Sequence, residues 1–193
     1  MMSSGRSLKF VLVGDSSVGK TSISSQFNHG YFSNTYAATY GGHFFAKHLP
    51  DLKVTVQLWD TGGEERYRAM LPLYTRDAMC AILVYDVSDR RTFASVVDFW
   101  TDYVESNTLS YTVKVLVGNK IDKTKEVDEK VARDHARDHG MLFYETSAKQ
   151  NQNIDTLFHE AAKEVVLKIP DEQVKKDGVR LEKLGRKKKK WRC

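Results

Sequence analysis

Apolar residues in this chain gather into short, nearly continuous runs separated by amphipathic stretches. LKFVLVG (8–14), AMCAILVYD (78–86), VKVLVGN (113–119) and MLFYET (141–146) are such runs. They predict strands buried on both faces. GGHFFAKHL and KVTVQLW predict a hairpin joined at Pro50-Asp51. Helical periodicity lies near 19–28, 91–106, 128–139 and 153–169. Strands alternating with helices predict an α/β fold with a six-stranded, mostly parallel sheet. The hairpin adds one antiparallel edge strand, and helices cover both faces.

After Pro170 the sequence turns polar and charged. The expected organisation is an N-terminal extension (1–7), one domain (8–169) and a flexible tail (170–193). The net charge of +5 is misleading as a whole-chain value. The last eight residues, RKKKKWRC, carry six positive charges, so the rest of the chain sums to −1. A basic tail on a near-neutral body points to an anionic membrane surface rather than to nucleic acid, so no nucleic-acid partner is expected. Trp191 among the tail lysines suits a membrane interface. Cys80 and Cys193 cannot form a disulfide scaffold and suit a reducing, cytoplasmic compartment. The first ten residues hold no apolar signal core. The longest apolar run, Ala78 to Tyr85, is eight residues, against roughly 20 for a membrane-spanning helix.

GDSSVGKT (14–21) fits G-x-x-x-x-G-K-[ST], between a buried strand and a helix. In that context the backbone from Asp15 through Ser16, Ser17, Val18 and Gly19 to Ser22 wraps phosphate oxygens. Lys20 bridges the terminal phosphates, and the Thr21 hydroxyl suits Mg²⁺. WDTGGEE (59–65) places Asp60 at a strand end, which suits an acid that holds Mg²⁺ through water. Gly63 offers its N–H to a terminal phosphate. NKID (119–122) follows another strand. Asp122 can accept two hydrogen bonds from guanine, a pair that adenine does not offer. This argues against a P-loop kinase or adenine-specific ATPase. Asn119 ties the loop to its neighbours, and the Lys120 stem covers the base. Ser147, Ala148 and Lys149 follow the last strand and supply an N–H to the guanine carbonyl. Ligands sit at that sheet edge in open α/β folds.

With these four elements in order, residues 7–168 resemble the Ras superfamily of small GTPases, and within it the Rab family. GDSSVGKTS, LWDTGGEERYR, AILVYDVSD, VGNKID and ETSAK carry the likeness. It implies a Mg²⁺-dependent switch between GTP and GDP that regulates vesicle traffic. It also implies an exchange factor, a GTPase-activating protein, a GDP-dissociation inhibitor or escort protein, and effectors. Phe32 matches the aromatic beside the guanine. Thr39 matches the switch threonine that ligates Mg²⁺ when the γ-phosphate is present. Phe44, Trp59 and Tyr74 match three aromatics that face effectors. Pro72 in AMLPLYTRDA is similar to the early-endosomal branch.

The sequence departs from the family in three places. YGGHF follows Thr39, and its glycine pair Gly41-Gly42 predicts a loosened chain. Glu64 stands where the family has Gln to orient the attacking water, with Gly62 nearby in place of Ala. A carboxylate only accepts hydrogen bonds and repels the γ-phosphate. Intrinsic hydrolysis slower than the ~10⁻⁴ to 10⁻³ s⁻¹ of Ras-like proteins is therefore expected. Activating proteins of the TBC type supply an Arg and a Gln in trans, so assisted turnover is compatible with Glu64. The alternative is a GTP-binding scaffold without appreciable turnover. Lastly, Cys193 stands alone where Rabs usually have two cysteines, and no C-a-a-X signal follows it. One prenyl group at Cys193 plus the basic run satisfies the two-signal requirement for anchoring.

Two histidines in HARDH (135–139) share one helical face. Without a third ligand, the expectation is a solvated face rather than a metal site.

Overall fold

The computed structural model of the protein describes residues 6–33, 39, 42–62 and 69–169. Its strands are β1 (Arg6–Val13), β2 (Gly42–Leu49), β3 (Val54–Thr61), β4 (Cys80–Asp86), β5 (Val113–Asn119) and β6 (Leu142–Thr146). They form one sheet in the order β2-β3-β1-β4-β5-β6. Every neighbouring pair is parallel except β2 and β3, the predicted hairpin. Residues 1–5 and 170–193 lie outside the described residues.

Side chains along β1 alternate between two cores, as a strand buried on both faces requires. Leu8, Phe10 and Leu12 pack on one side with α1 (Lys20–His29) and α6 (Ile154–Lys168), where Phe27 and Phe158 stack at 3.9 Å. Val11 and Val13 face the other side, with Val96, Trp100, Val104 and Ala132. That side holds α2 (Leu71–Thr75), α3 (Arg90–Ser95), α4 (Thr101–Asn107) and α5 (Glu129–Asp138). Asp89 and Asp128 cap α3 and α5 by accepting from Arg91 N and Lys130 N.

Four details differ from the sequence reading. β1 starts at Arg6, because its ladder with β3 continues to Arg6↔Val54 and Ser7↔Thr55. Residues 6 and 7 therefore belong to the sheet rather than to an extension. β4 starts at Cys80, not at residue 78. The five-residue α2 was not expected; it is too short to show periodicity, and Pro72 in its first turn costs no hydrogen bond there. The single helix expected over 91–106 is broken by a π-helical turn, Val96–Trp100. A π turn spends one extra residue and rotates the residues after it about the helix axis. Trp100 is thereby 1% exposed, while Phe99 is only partly buried.

The strands end in register at one edge. Asp86 pairs with Asn119, and Asn119 with Thr146, in one row of polar residues. The loops after these strands converge there. Among the described residues no helix is long and apolar enough to cross a membrane.

Candidate functional site

The turn after β1 runs from Gly14 to Gly19 and opens α1. Gly14, Ser17 and Gly19 have φ of 138°, 64° and 100°. A Cβ on Gly14 would lie 2.3 Å from the Val84 carbonyl oxygen, so the loop passes against β4 with no room for a side chain. Val18 is buried and anchors the loop in the core; Ser16 and Ser17 lie along its course, with Ser17 exposed, and Ser22 lies in the first turn of α1.

Lys20 is 5% exposed. Its Nζ donates to the main-chain oxygens of Gly14 at 2.7 Å and Asp15 at 2.6 Å. Burial lowers its pKa to about 8, partly opposed by the charges of Asp60 and Asp15. The Asp15 carboxylate accepts from Trp100 Nε1 at 2.8 Å. Trp100 lies 85 residues away, and no local motif marks it as a neighbour of this loop.

Asp60, at the end of β3, is fully buried, and neither carboxylate oxygen has a hydrogen-bond partner among the described residues. Burial raises its pKa; the Thr21 hydroxyl, the Lys20 ammonium and His43 oppose the shift. His43 Nδ1 is 3.9 Å from Asp60 Oδ2. Thr21 Oγ1 and Thr39 Oγ1 are 2.7 Å apart. A buried carboxylate that nearby groups compensate only in part is costly. Together with two hydroxyls it is an all-oxygen donor set of the kind Mg²⁺ takes. The predicted metal residues Thr21, Thr39 and Asp60 are thus brought together, and their chemistry fits the ion. Gly63 and Glu64 lie outside the described residues, as does Gly41.

The residues predicted to read the base also converge. Asn119 Nδ2 donates to Val18 O at 2.9 Å, while its Oδ1 accepts from Thr146 Oγ1 at 3.2 Å and Ala148 N at 3.3 Å. Asn119 therefore ties three loops, as expected. Lys120 Nζ reaches Ser17 O and Asp86 Oδ2, both at 2.6 Å. Asp122 accepts from Ser147 Oγ at 2.6 Å. Ala148 is buried and Lys149 exposed. Phe32 packs half-buried against the α1–α6 core. Sequence reasoning missed Asp86, Thr146 and Trp100, which hold the loops from behind and belong to no short motif.

Phe44, Trp59 and Tyr74 form one aromatic strip, with ring centroids 5.1 Å and 5.8 Å apart. Phe44 is 49% exposed. Gly42 lies under the Tyr74 ring: a Cβ there would come within 2.9 Å of Tyr74 Cε1 and Cζ. Gly42 begins β2 and is a seat for Tyr74, while the other glycine of the pair lies outside the described residues.

His135 is not on a solvated face. It is half-buried, with Nε2 3.0 Å from Thr101 Oγ1 and its ring edge-on to Phe93. Burial lowers its pKa, and His139 adds to the effect. Among the described residues no group of three or more His, Cys, Asp or Glu side chains could hold a metal. Cys80 is a buried free thiol in the core, and burial pushes its pKa up.

A family model described as the Ras family matches residues 9–167. The chain is 36% identical over 171 residues to Ras-related protein Rab-13 of Bos taurus, covering 86% of this chain and 84% of that one. It is 37% identical to Ras-related protein Rab-10 of Caenorhabditis elegans, with 84% and 83% covered. Rab-13 of Canis lupus familiaris is 37% identical, with 83% and 80% covered.

Proposed function

The chain belongs to the Ras family, within it to the Rab small GTPases of membrane trafficking, and we propose that its own converging loops hold Mg²⁺ and a guanine nucleotide as the working parts of a GTP/GDP switch. Proteins of this family are GTP hydrolases, and the relatives do not favour the alternative of a scaffold without turnover.

One observation carries the site assignment. The buried Asp60 carboxylate has no hydrogen-bond partner among the described residues, and the paired Thr21 and Thr39 hydroxyls are its neighbours. When bound there, Mg²⁺ neutralises charge on the transferring phosphoryl group. Thr21, Thr39 and Asp60 hold it. Lys20 and the backbone from Asp15 to Ser22 grip the phosphates. Asp122 reads the guanine edge, Lys120 and Phe32 flank the base, and Ser147, Ala148 and Lys149 complete its pocket. Asn119 fixes these loops to one another. Thr39 and the Gly63 N–H sense the γ-phosphate, so hydrolysis releases two loops. Catalysis is positioning and charge stabilisation of an attacking water at Glu64. Phe44, Trp59 and Tyr74 present the switch state to effectors.

The switch works peripherally on an endomembrane, tethered by prenylated Cys193 and the basic residues Arg186 to Lys190 and Arg192. Pro72 carries the finer reading of an early-endosomal address. Exchange factor, GTPase-activating protein and GDP-dissociation inhibitor or escort protein complete the cycle.

Single-turnover GTP hydrolysis on Mg²⁺-loaded protein tests this reading. GTP converts to GDP slowly, and Glu64→Gln raises the rate toward ~10⁻⁴ to 10⁻³ s⁻¹. An equal rate in the two proteins removes Glu64 from the water-orienting role. Failure to retain any guanine nucleotide removes the assignment of the site.

A further inference from the structure

Asp15 brings a carboxylate into a loop whose glycines, helix start and lysine otherwise favour anions. The structure holds that residue at two points. Its main-chain oxygen accepts from Lys20 Nζ at 2.6 Å, and its carboxylate Oδ1 accepts from Trp100 Nε1 at 2.8 Å. The indole is 1% exposed and closes the π-helical turn Val96–Trp100. Phe99 and Tyr103 meet its ring edge-on, with centroids at 5.0 and 6.2 Å. Packing on several sides fixes the direction of its N–H. A π turn inside a helix is rare and clusters at functional sites; here it ends on the residue that reaches the loop.

We propose that Trp100 is a positioning residue for nucleotide retention. Its N–H keeps the Asp15 carboxylate docked on the π turn, held back from the phosphates. The inference rests on the reading of this loop as the phosphate site. Released from the indole, the carboxylate repels phosphate and competes with it for Lys20. Nucleotide then leaves faster.

The test uses the full chain loaded with fluorescently labelled GDP and Mg²⁺, chased with excess GDP. Trp100→Phe keeps an aromatic ring but loses the donor, and release quickens about tenfold. Adding Asp15→Asn removes the freed charge and brings release back to within about twofold of wild type. Asp15→Glu leaves Trp100 in place but carries the carboxylate past the indole, so it also quickens release. It serves as the second variant if Trp100→Phe does not fold. Rescue by Asp15→Asn separates positioning from packing, since a lost packing contact is indifferent to the charge on Asp15. Release that stays fast in the double variant, or that is unchanged by Trp100→Phe or Asp15→Glu, overturns the inference while leaving the site assignment intact. Wild-type protein that retains no labelled GDP overturns both.

Discussion

The Asn119 side-chain amide fills the space that a Cβ on Gly19 would need, with Nδ2 2.2 Å from that position. The turn after β1 and the loop after β5 are therefore in direct contact, and Asn119 Nδ2 donates to Val18 O across it. Gly19→Ala forces Asn119 away and also strains a backbone at φ 100°. Misplacing both loops lowers guanine-nucleotide affinity roughly 10²-fold, measurable by titration calorimetry. An affinity within a fewfold of wild type would show that the two loops move independently.

Asp60 sets function against stability. Its carboxylate is buried without a hydrogen-bond partner among the described residues. Asp60→Asn removes the charge, and the nucleotide-free protein gains about 1–2 kcal/mol in thermal or urea unfolding. The same variant loses the Mg²⁺ dependence of nucleotide binding. A variant less stable than wild type would mean that the carboxylate is compensated after all.

Gly42→Val tests the seat under Tyr74. The colliding atoms belong to the end of a side chain, so the ring moves and the strand stays. Stability falls by about 1 kcal/mol or less. Trp59, 5.8 Å from Tyr74, changes its fluorescence because its neighbour has shifted. Unaltered Trp59 emission would show that Tyr74 does not rest on Gly42.

His159 on α6 is hydrogen-bonded to Asp51 in the β2–β3 turn. That bond, with Asp51 and Glu160 charges, raises the His159 pKa above its usual 6.5. Its contribution to stability is fully present below about 6.5 and fades as pH rises through the raised value. The pair is exposed, so the effect is small. His159→Gln lowers Tm at about pH 5.5 and leaves it unchanged at about pH 8.5. An equal difference at both values would assign the loss to packing.

Most of the sheet was legible in the sequence because parallel strands buried on both faces leave continuous apolar runs, as LKFVLVG and VKVLVGN do. The candidate nucleotide motifs stand out because each sits just past such a run. The features that escaped depend on distance in the chain or on a single extra residue. Nothing near Trp100 announces Asp15, which helix packing brings to it, and nothing near Asp86 announces Lys120, which the β4–β5 register brings alongside. His135 looked solvated because a helical period gives a face but not its neighbour, here Thr101 and Phe93. The seat at Gly42 was invisible because a glycine reads as freedom until the ring above it is seen.

The π turn has a further meaning for how this helix can change over generations. Helix and sheet tolerate many substitutions there as long as burial is kept. Relaxation of Val96–Trp100 to an ordinary helix at unchanged length is different in kind: it swings the indole about 100° around the axis. Composition would be nearly unaltered and the fold retained, yet the link to Asp15 would be gone. In descendants of this chain, the trait to follow at this helix is whether the wide turn is kept.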